Sequence, residues 1–247
     1  MRPELWIGGA WREGGGERFA SHDPASGEIV WQGRAASDDD VAEAMAAARL
    51  ALPAWAKRPL DERLAIVRAF GKAIETRSAE LAQTISREMG KVGWDAKAEV
   101  QTVIGKIELS IRAQAERAGA KEEQTGFGAM ALSHHPHGVL AVFGPFNFPA
   151  HLPNGHIVPA LIAGNTLLFK PSELTPGVGA IMCEAWQAAG LPAGVLNLLQ
   201  GARETGAALL DAPGLNGVLF TGSAETGALI HRKFAGRPDV ILALELG

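Results

Sequence analysis

Two short apolar runs, 139–143 and 166–169, each end in polar groups that could do chemistry. The first passes through Gly144-Pro145 to an amide, Asn147, set between Phe146 and Phe148 and ahead of Pro149. The second stops at Lys170-Pro171-Ser172-Glu173. A third group, Phe220-Thr221-Gly222-Ser223, precedes Gly227, and Glu245 follows a last apolar run. An amide N–H aimed into a cleft can stabilise a developing oxyanion. A carboxylate in a water-poor cleft can serve as general base. A Ser-capped helix start behind a glycine offers free N–H groups to a phosphate. A Lys–Glu pair can donate to and accept from the two hydroxyls of a ribose, and its carboxylate would repel a 2′-phosphate, favouring NAD over NADP.

Each group also has a plainer reading. Asn147 is a good turn residue, Lys170 and Glu173 could be a solvated surface pair, and Gly222-Ser223 could be no more than a turn and a cap. Glu245 could be a solvated carboxylate. No Lys-Ser/Thr follows Gly227, so this is not a Walker loop, and Gly177-Val178-Gly179 lacks the third glycine of the usual dinucleotide fingerprint. His134, His135 and His137 have no neighbouring cysteine or carboxylate array, so no metal site is expected. Cys183 falls within an apolar-periodic helix over 177–189, where a buried structural thiol is expected rather than a nucleophile.

These groups need a scaffold that brings them to one place. From residue 139 onward, apolar runs at 139–143, 166–169, 195–199, 217–220 and 240–244 alternate with helical segments. Continuously apolar strands are buried on both faces, as in a parallel sheet covered by helices. The pattern predicts an α/β fold: a doubly wound, five-stranded parallel sheet with four crossovers. Ligands of such sheets bind beyond the C-terminal ends of the strands, where every one of these polar groups falls. Thr175-Pro176 is expected to cap the second crossover helix, and Gly190 to stop it.

Upstream, residues 1–36 read as β-structure, with strand pieces around Gly8-Gly9 and a turn at 23–27. Ser37 followed by Asp38, Asp39 and Asp40 is a helix start, and the Ala-rich segment to about Leu52 should be helical. Leu60, Leu64, Val67, Ile74, Leu81 and Ile85 repeat at helical spacing, as do Val100, Val103, Ile104, Ile107 and Ile111, which predicts two long helices. Residues 120–138 suit a projecting β-hairpin arm.

The 247 residues are 47% hydrophobic and 20% charged, proportions of a globular protein. A net charge of -4 leaves no basic footprint for nucleic acid. One cysteine excludes an internal disulfide. No apolar run reaches membrane-spanning length and the first residues lack the apolar centre of a signal peptide, so a cytoplasmic location is expected.

Together, Phe146-Asn147-Phe148-Pro149, Phe169-Lys170-Pro171-Ser172-Glu173, Phe220-Thr221-Gly222-Ser223 with Gly227, and Leu244-Glu245-Leu246-Gly247 resemble the NAD(P)-dependent aldehyde dehydrogenase superfamily in order and rough spacing. Ala189-Gly190-Leu191-Pro192 and Gly194-Val195-Leu196-Asn197 fit the same family. Residues 143–156 narrow the resemblance to one branch, because many relatives carry Trp in place of Phe146 and lack His151, Asn154 and His156.

The resemblance implies a set of roles. Asn147 would donate to the oxyanion of a thiohemiacetal and Glu245 would activate the hydrolytic water. Lys170 and Glu173 would hold the adenosine ribose of NAD, Ser223 the pyrophosphate, with Phe146, Gly222 and Gly227 completing the cofactor site. Residues 1–123 would be the N-terminal part of the cofactor-binding domain, 124–138 an arm for homo-oligomerisation, and 139–247 the Rossmann-like core. In the family the nucleophilic cysteine lies in a separate domain beyond the Glu-Leu-Gly motif. That implies a catalytic cysteine domain absent from this chain, a truncated parent enzyme acting on a small-molecule aldehyde, and no turnover by these residues alone.

Overall fold

The computed structural model describes residues 4–247. Strands β1 (Leu5–Ile7) and β2 (Ala10–Arg12) form a hairpin turned by Gly8 and Gly9, both at positive φ. A second hairpin, β3 (Arg18–His22) and β4 (Ile29–Arg34), turns at 23–27, where the Gly27 N–H donates to the Asp23 carbonyl at 2.7 Å. Helix α1 (Asp38–Lys57) starts at Ser37, whose hydroxyl accepts the Asp40 N–H while the Asp40 carboxylate takes the Ser37 N–H in return. This reciprocal cap satisfies two otherwise open donors. The helix continues through Pro53, further than its Ala-rich sequence suggests.

The long helix expected over 60–85 is two helices, α2 (Leu60–Thr76) and α3 (Ser78–Met89). At the break Arg77 leaves helical geometry, and its guanidinium pairs with Glu80 and with Glu184 from a later helix. That tertiary pairing overrides the unbroken apolar period. Helix α4 (Gly93–Arg117) follows, then an exposed antiparallel hairpin, β5 (Lys121–Thr125) and β6 (Gly128–Leu132).

The remaining chain alternates: β7 (Val139–Phe143), α5 (His151–Ile162), β8 (Thr166–Lys170), α6 (Pro176–Ala188), β9 (Leu196–Leu198), α7 (Arg203–Asp211), β10 (Gly217–Gly222), α8 (Ala224–Phe234) and β11 (Ile241–Leu246). Its five strands pair in parallel in the order β11-β10-β7-β8-β9. The expected five-stranded, wholly parallel sheet is nevertheless too small a description. β1 pairs antiparallel with β9 through Trp6 and Leu198, and β2 extends it, giving a mixed sheet of seven strands.

Alternate residues of the central strands enter two cores, as the period of a strand requires. Leu140, Val142, Leu167 and Phe169 pack with α2 to α6, where Phe70 stacks on Trp186 at 3.9 Å between ring centres. Val139, Ala141, Phe143 and Leu168 pack with α1, α7 and α8. Gly190, at positive φ, ends α6 as its sequence predicts. Among the described residues no helix is long and apolar enough to cross a membrane.

Candidate functional site

The polar groups share one edge because the parallel strands end in register. Leu244, Phe220, Phe143 and Lys170 are lateral partners across β11, β10, β7 and β8. Glu245, Thr221 and Gly144 each lie one residue beyond that row. At a strand spacing of about 4.8 Å, the row spans roughly 14 Å. The strand order reverses at β7: β8 and β9 are added on one side of it, β10 and β11 on the other. The crevice over their C-terminal ends is the topological switch point of a doubly wound sheet.

The loop from Gly144 carries exposed Phe146, Asn147 and Phe148 between buried Pro145 and Pro149. It is held from beneath by two residues that sequence reasoning passed over. Glu99 of α4, with a fully buried side chain, accepts the N–H groups of Ala150 at 3.0 Å and His151 at 3.1 Å. Its other oxygen pairs with Lys91 Nζ at 2.7 Å, and Lys91 lies 3.7 Å from the centre of the Phe148 ring. Buried carboxylates survive when paired and hydrogen-bonded in this way.

Lys170 closes β8. Its buried Nζ donates to the carbonyls of Gly201 at 2.6 Å and Pro171 at 2.9 Å, and lies 3.9 Å from the half-exposed Glu173 carboxylate. Burial lowers its pKa from 10.5 to about 8, against the pull of Glu173. Thr175 does not cap α6. The Glu88 carboxylate accepts the Gly177 and Val178 N–H groups at 2.9 and 3.0 Å, which leaves the Thr175 hydroxyl buried without a partner.

Ser223 caps α8, its hydroxyl accepting the Thr226 N–H at 3.2 Å on an exposed helix start. The first turn also carries Glu225. Gly227 is buried where a side chain would meet Leu246 of β11, and the Phe220 ring fills the space beside Gly222. Gly222 therefore accommodates a neighbouring aromatic ring.

Glu245 is exposed and is the lateral partner of Thr221. The Thr221 hydroxyl lies 3.0 Å from His156 Nε2. Burial lowers the pKa of His156, with Glu245 raising it and Lys106 lowering it further. His151 is also pushed down, first by burial and then by Lys106. Cys183, the sole cysteine of the sequence, is fully buried in α6, and burial pushes its thiol well above the usual range. Among the described residues no group of His, Cys, Asp and Glu is arranged to hold a metal ion.

Fold and edge together define a doubly wound α/β protein whose candidate site lies at the switch point of its sheet. The sequence profile of the aldehyde dehydrogenase family matches residues 11–247, and the chain belongs to that family. It is 55% identical over 244 residues to N-succinylglutamate 5-semialdehyde dehydrogenase of Burkholderia mallei (strain SAVP1), and 56% identical over 243 residues to the protein of that name from Salmonella typhimurium. These alignments cover 99% and 98% of this chain but 50% and 49% of the relatives, so the chain spans about half their length.

Among solved structures, betaine aldehyde dehydrogenase from Staphylococcus aureus in complex with NAD+ superposes with a TM-score of 0.92 at 26% identity. It covers 100% of this chain and 51% of its own. NADP-dependent glyceraldehyde-3-phosphate dehydrogenase from Bacillus halodurans, complexed with NADP, gives 0.90 at 30% identity, covering 100% and 53%.

Proposed function

We propose that these residues are the cofactor-binding portion of a cytoplasmic enzyme that oxidises N-succinylglutamate 5-semialdehyde to N-succinylglutamate with NAD, in arginine breakdown. The register row from Leu244 to Lys170 supports this reading most directly, because it gathers the polar groups at the switch point. The two relatives of that name support the choice of substrate.

A dinucleotide fits the residues present. Ser223 and the exposed start of α8 would receive its pyrophosphate. Lys170 and Glu173 would hold the adenosine ribose, where Glu173 disfavours a 2′-phosphate, and Phe146 would border the nicotinamide end. When bound, the nicotinamide accepts a hydride. Asn147 would donate to the substrate's developing oxyanion. Glu245 would take a proton from the hydrolytic water, in electrostatic reach of His156.

Cys183 is too deeply buried to attack an aldehyde, so these 247 residues alone bind cofactor without turnover. The exposed β5–β6 hairpin, with Phe127, Met130 and Leu132 at its surface, would serve homo-oligomer assembly.

Calorimetric titration of the 247-residue chain with NAD and NADP tests the cofactor claim: NAD binds more tightly, and Glu173→Gln narrows the gap. Assays of the full reading frame with succinylglutamate semialdehyde and simple aldehydes test the substrate. Faster kcat/KM on simple aldehydes would leave an aldehyde dehydrogenase of another specificity. NADH production by the 247 residues alone would refute their inactivity.

A further inference from the structure

Lys106 projects from α4 across α5. Its Nζ lies 2.8 Å from the point where a Cβ at Gly155 would stand, with Cδ and Cε at 3.8 Å, so the chain lies flat over the glycine. Any side chain at 155 would push the ammonium away. Among the described residues no carboxylate comes within ion-pair distance of Lys106, although it is partly buried.

Other charged and titratable groups stand nearby, with Glu245 and Lys106 both in electrostatic reach of His156. Lys91 and Glu99 neutralise each other. His156 faces Thr221, and Glu245 lies beside that threonine. His151 stands one helical turn before Gly155, on the same face of α5, with a buried Nδ1 that has no partner. Lys106 thus supplies a cation, and His151 a ring nitrogen, beside the crevice that holds Asn147 and Glu245. A partly buried ammonium lacking its own anion is completed by an acidic ligand, through a charge-assisted hydrogen bond.

We propose that Lys106 anchors a carboxylate of the aldehyde substrate, and that glycine at position 155 makes room for it to do so. The inference rests on the aldehyde-oxidising reading above, and it names the substrate class as aldehydes that carry a carboxylate remote from the carbonyl. Lys106 is a specificity-determining residue and takes no part in bond making.

The test uses the full reading frame as Lys106→Met, Lys106→Arg and Gly155→Ala variants, assayed with succinylglutamate semialdehyde and with propanal. Loss of a hydrogen bond to a charged group raises the ratio of KM for the acidic to the neutral aldehyde about 10- to 100-fold in Lys106→Met. Lys106→Arg restores most of the ratio, and kcat on the acidic aldehyde changes little. Gly155→Ala raises the same ratio while keeping its thermal midpoint, since alanine favours a helix interior. Should Lys106→Met fail to fold, Gly155→Ala decides alone. An unchanged ratio in the variants, with a wild type that oxidises both aldehydes, overturns the anchor and leaves the aldehyde reading standing. A wild type that oxidises neither removes both.

Discussion

Glu99 Oε1 accepts the Ala150 N–H at 3.0 Å, tying a residue of α4 to the turn just beyond Asn147. Breaking a buried ion pair by removing one partner leaves the other charge without compensation. Glu99→Ala should therefore destabilise the chain by about 3–5 kcal/mol in urea unfolding. A loss below about 1 kcal/mol, the value of an exposed pair, would show that the Lys91–Glu99 contact is solvated.

Gly144 is packed from above by α5. A Cβ there would stand 2.7 Å from Pro153 Cγ, an atom of a rigid ring, and the Gly144 N–H donates to the Lys170 carbonyl at 3.0 Å. Gly144→Ala should cost about 1–3 kcal/mol, the usual range for overpacking, and should displace the Asn147 loop. Chemical shift changes confined to other parts of the chain would count against this account.

Lys170 should titrate near 8. The unfolded chain holds its lysine proton to about pH 10.4, so between these values it binds more protons than the folded one. Stability accordingly rises with pH across that window. Because the Glu173 charge raises the Lys170 pKa, Glu173→Gln should lower it further. NMR titration of the Nζ resonance checks both statements, and an upward shift in the variant would refute the coupling.

His156 should titrate below 6.5, since burial disfavours its charged form. The unfolded chain takes up that proton first, so stability falls as pH drops below 6.5. Glu245→Gln should lower the value further and Lys106→Gln should raise it, because their charges act in opposite directions. Proton NMR of the imidazole decides. Shifts of the same sign in both variants would mean that the two groups do not flank the ring.

Much of the candidate edge was legible in the sequence because apolar runs carry polar groups at or just past their ends, and parallel strands end together. The supports beneath it were harder to read, since their partners lie far away along the chain. Glu99 is 51 positions from Ala150, and Glu88 is 89 from Gly177. A signal was nevertheless present. Glu99 stands in the buried stripe of Ala96, Val100, Val103 and Ile107, and Glu88 continues that of Leu81 and Ile85. A carboxylate at a core position must find donors. The seven-stranded sheet was hidden for another reason. Strands of three residues show no usable period, and β1 reaches its place only by pairing with a strand some 190 residues later.

Glu88 and Glu99 give the scaffold resident anions. Of the helices that follow β7, β8 and β10, the first two have their positive ends claimed by the protein's own carboxylates, whereas α8 is closed by an uncharged hydroxyl. On the proposed cofactor-binding reading, a phosphate-bearing ligand reaching this rim would be turned away from two berths and admitted at the third, which would orient it before any contact with its base or sugar.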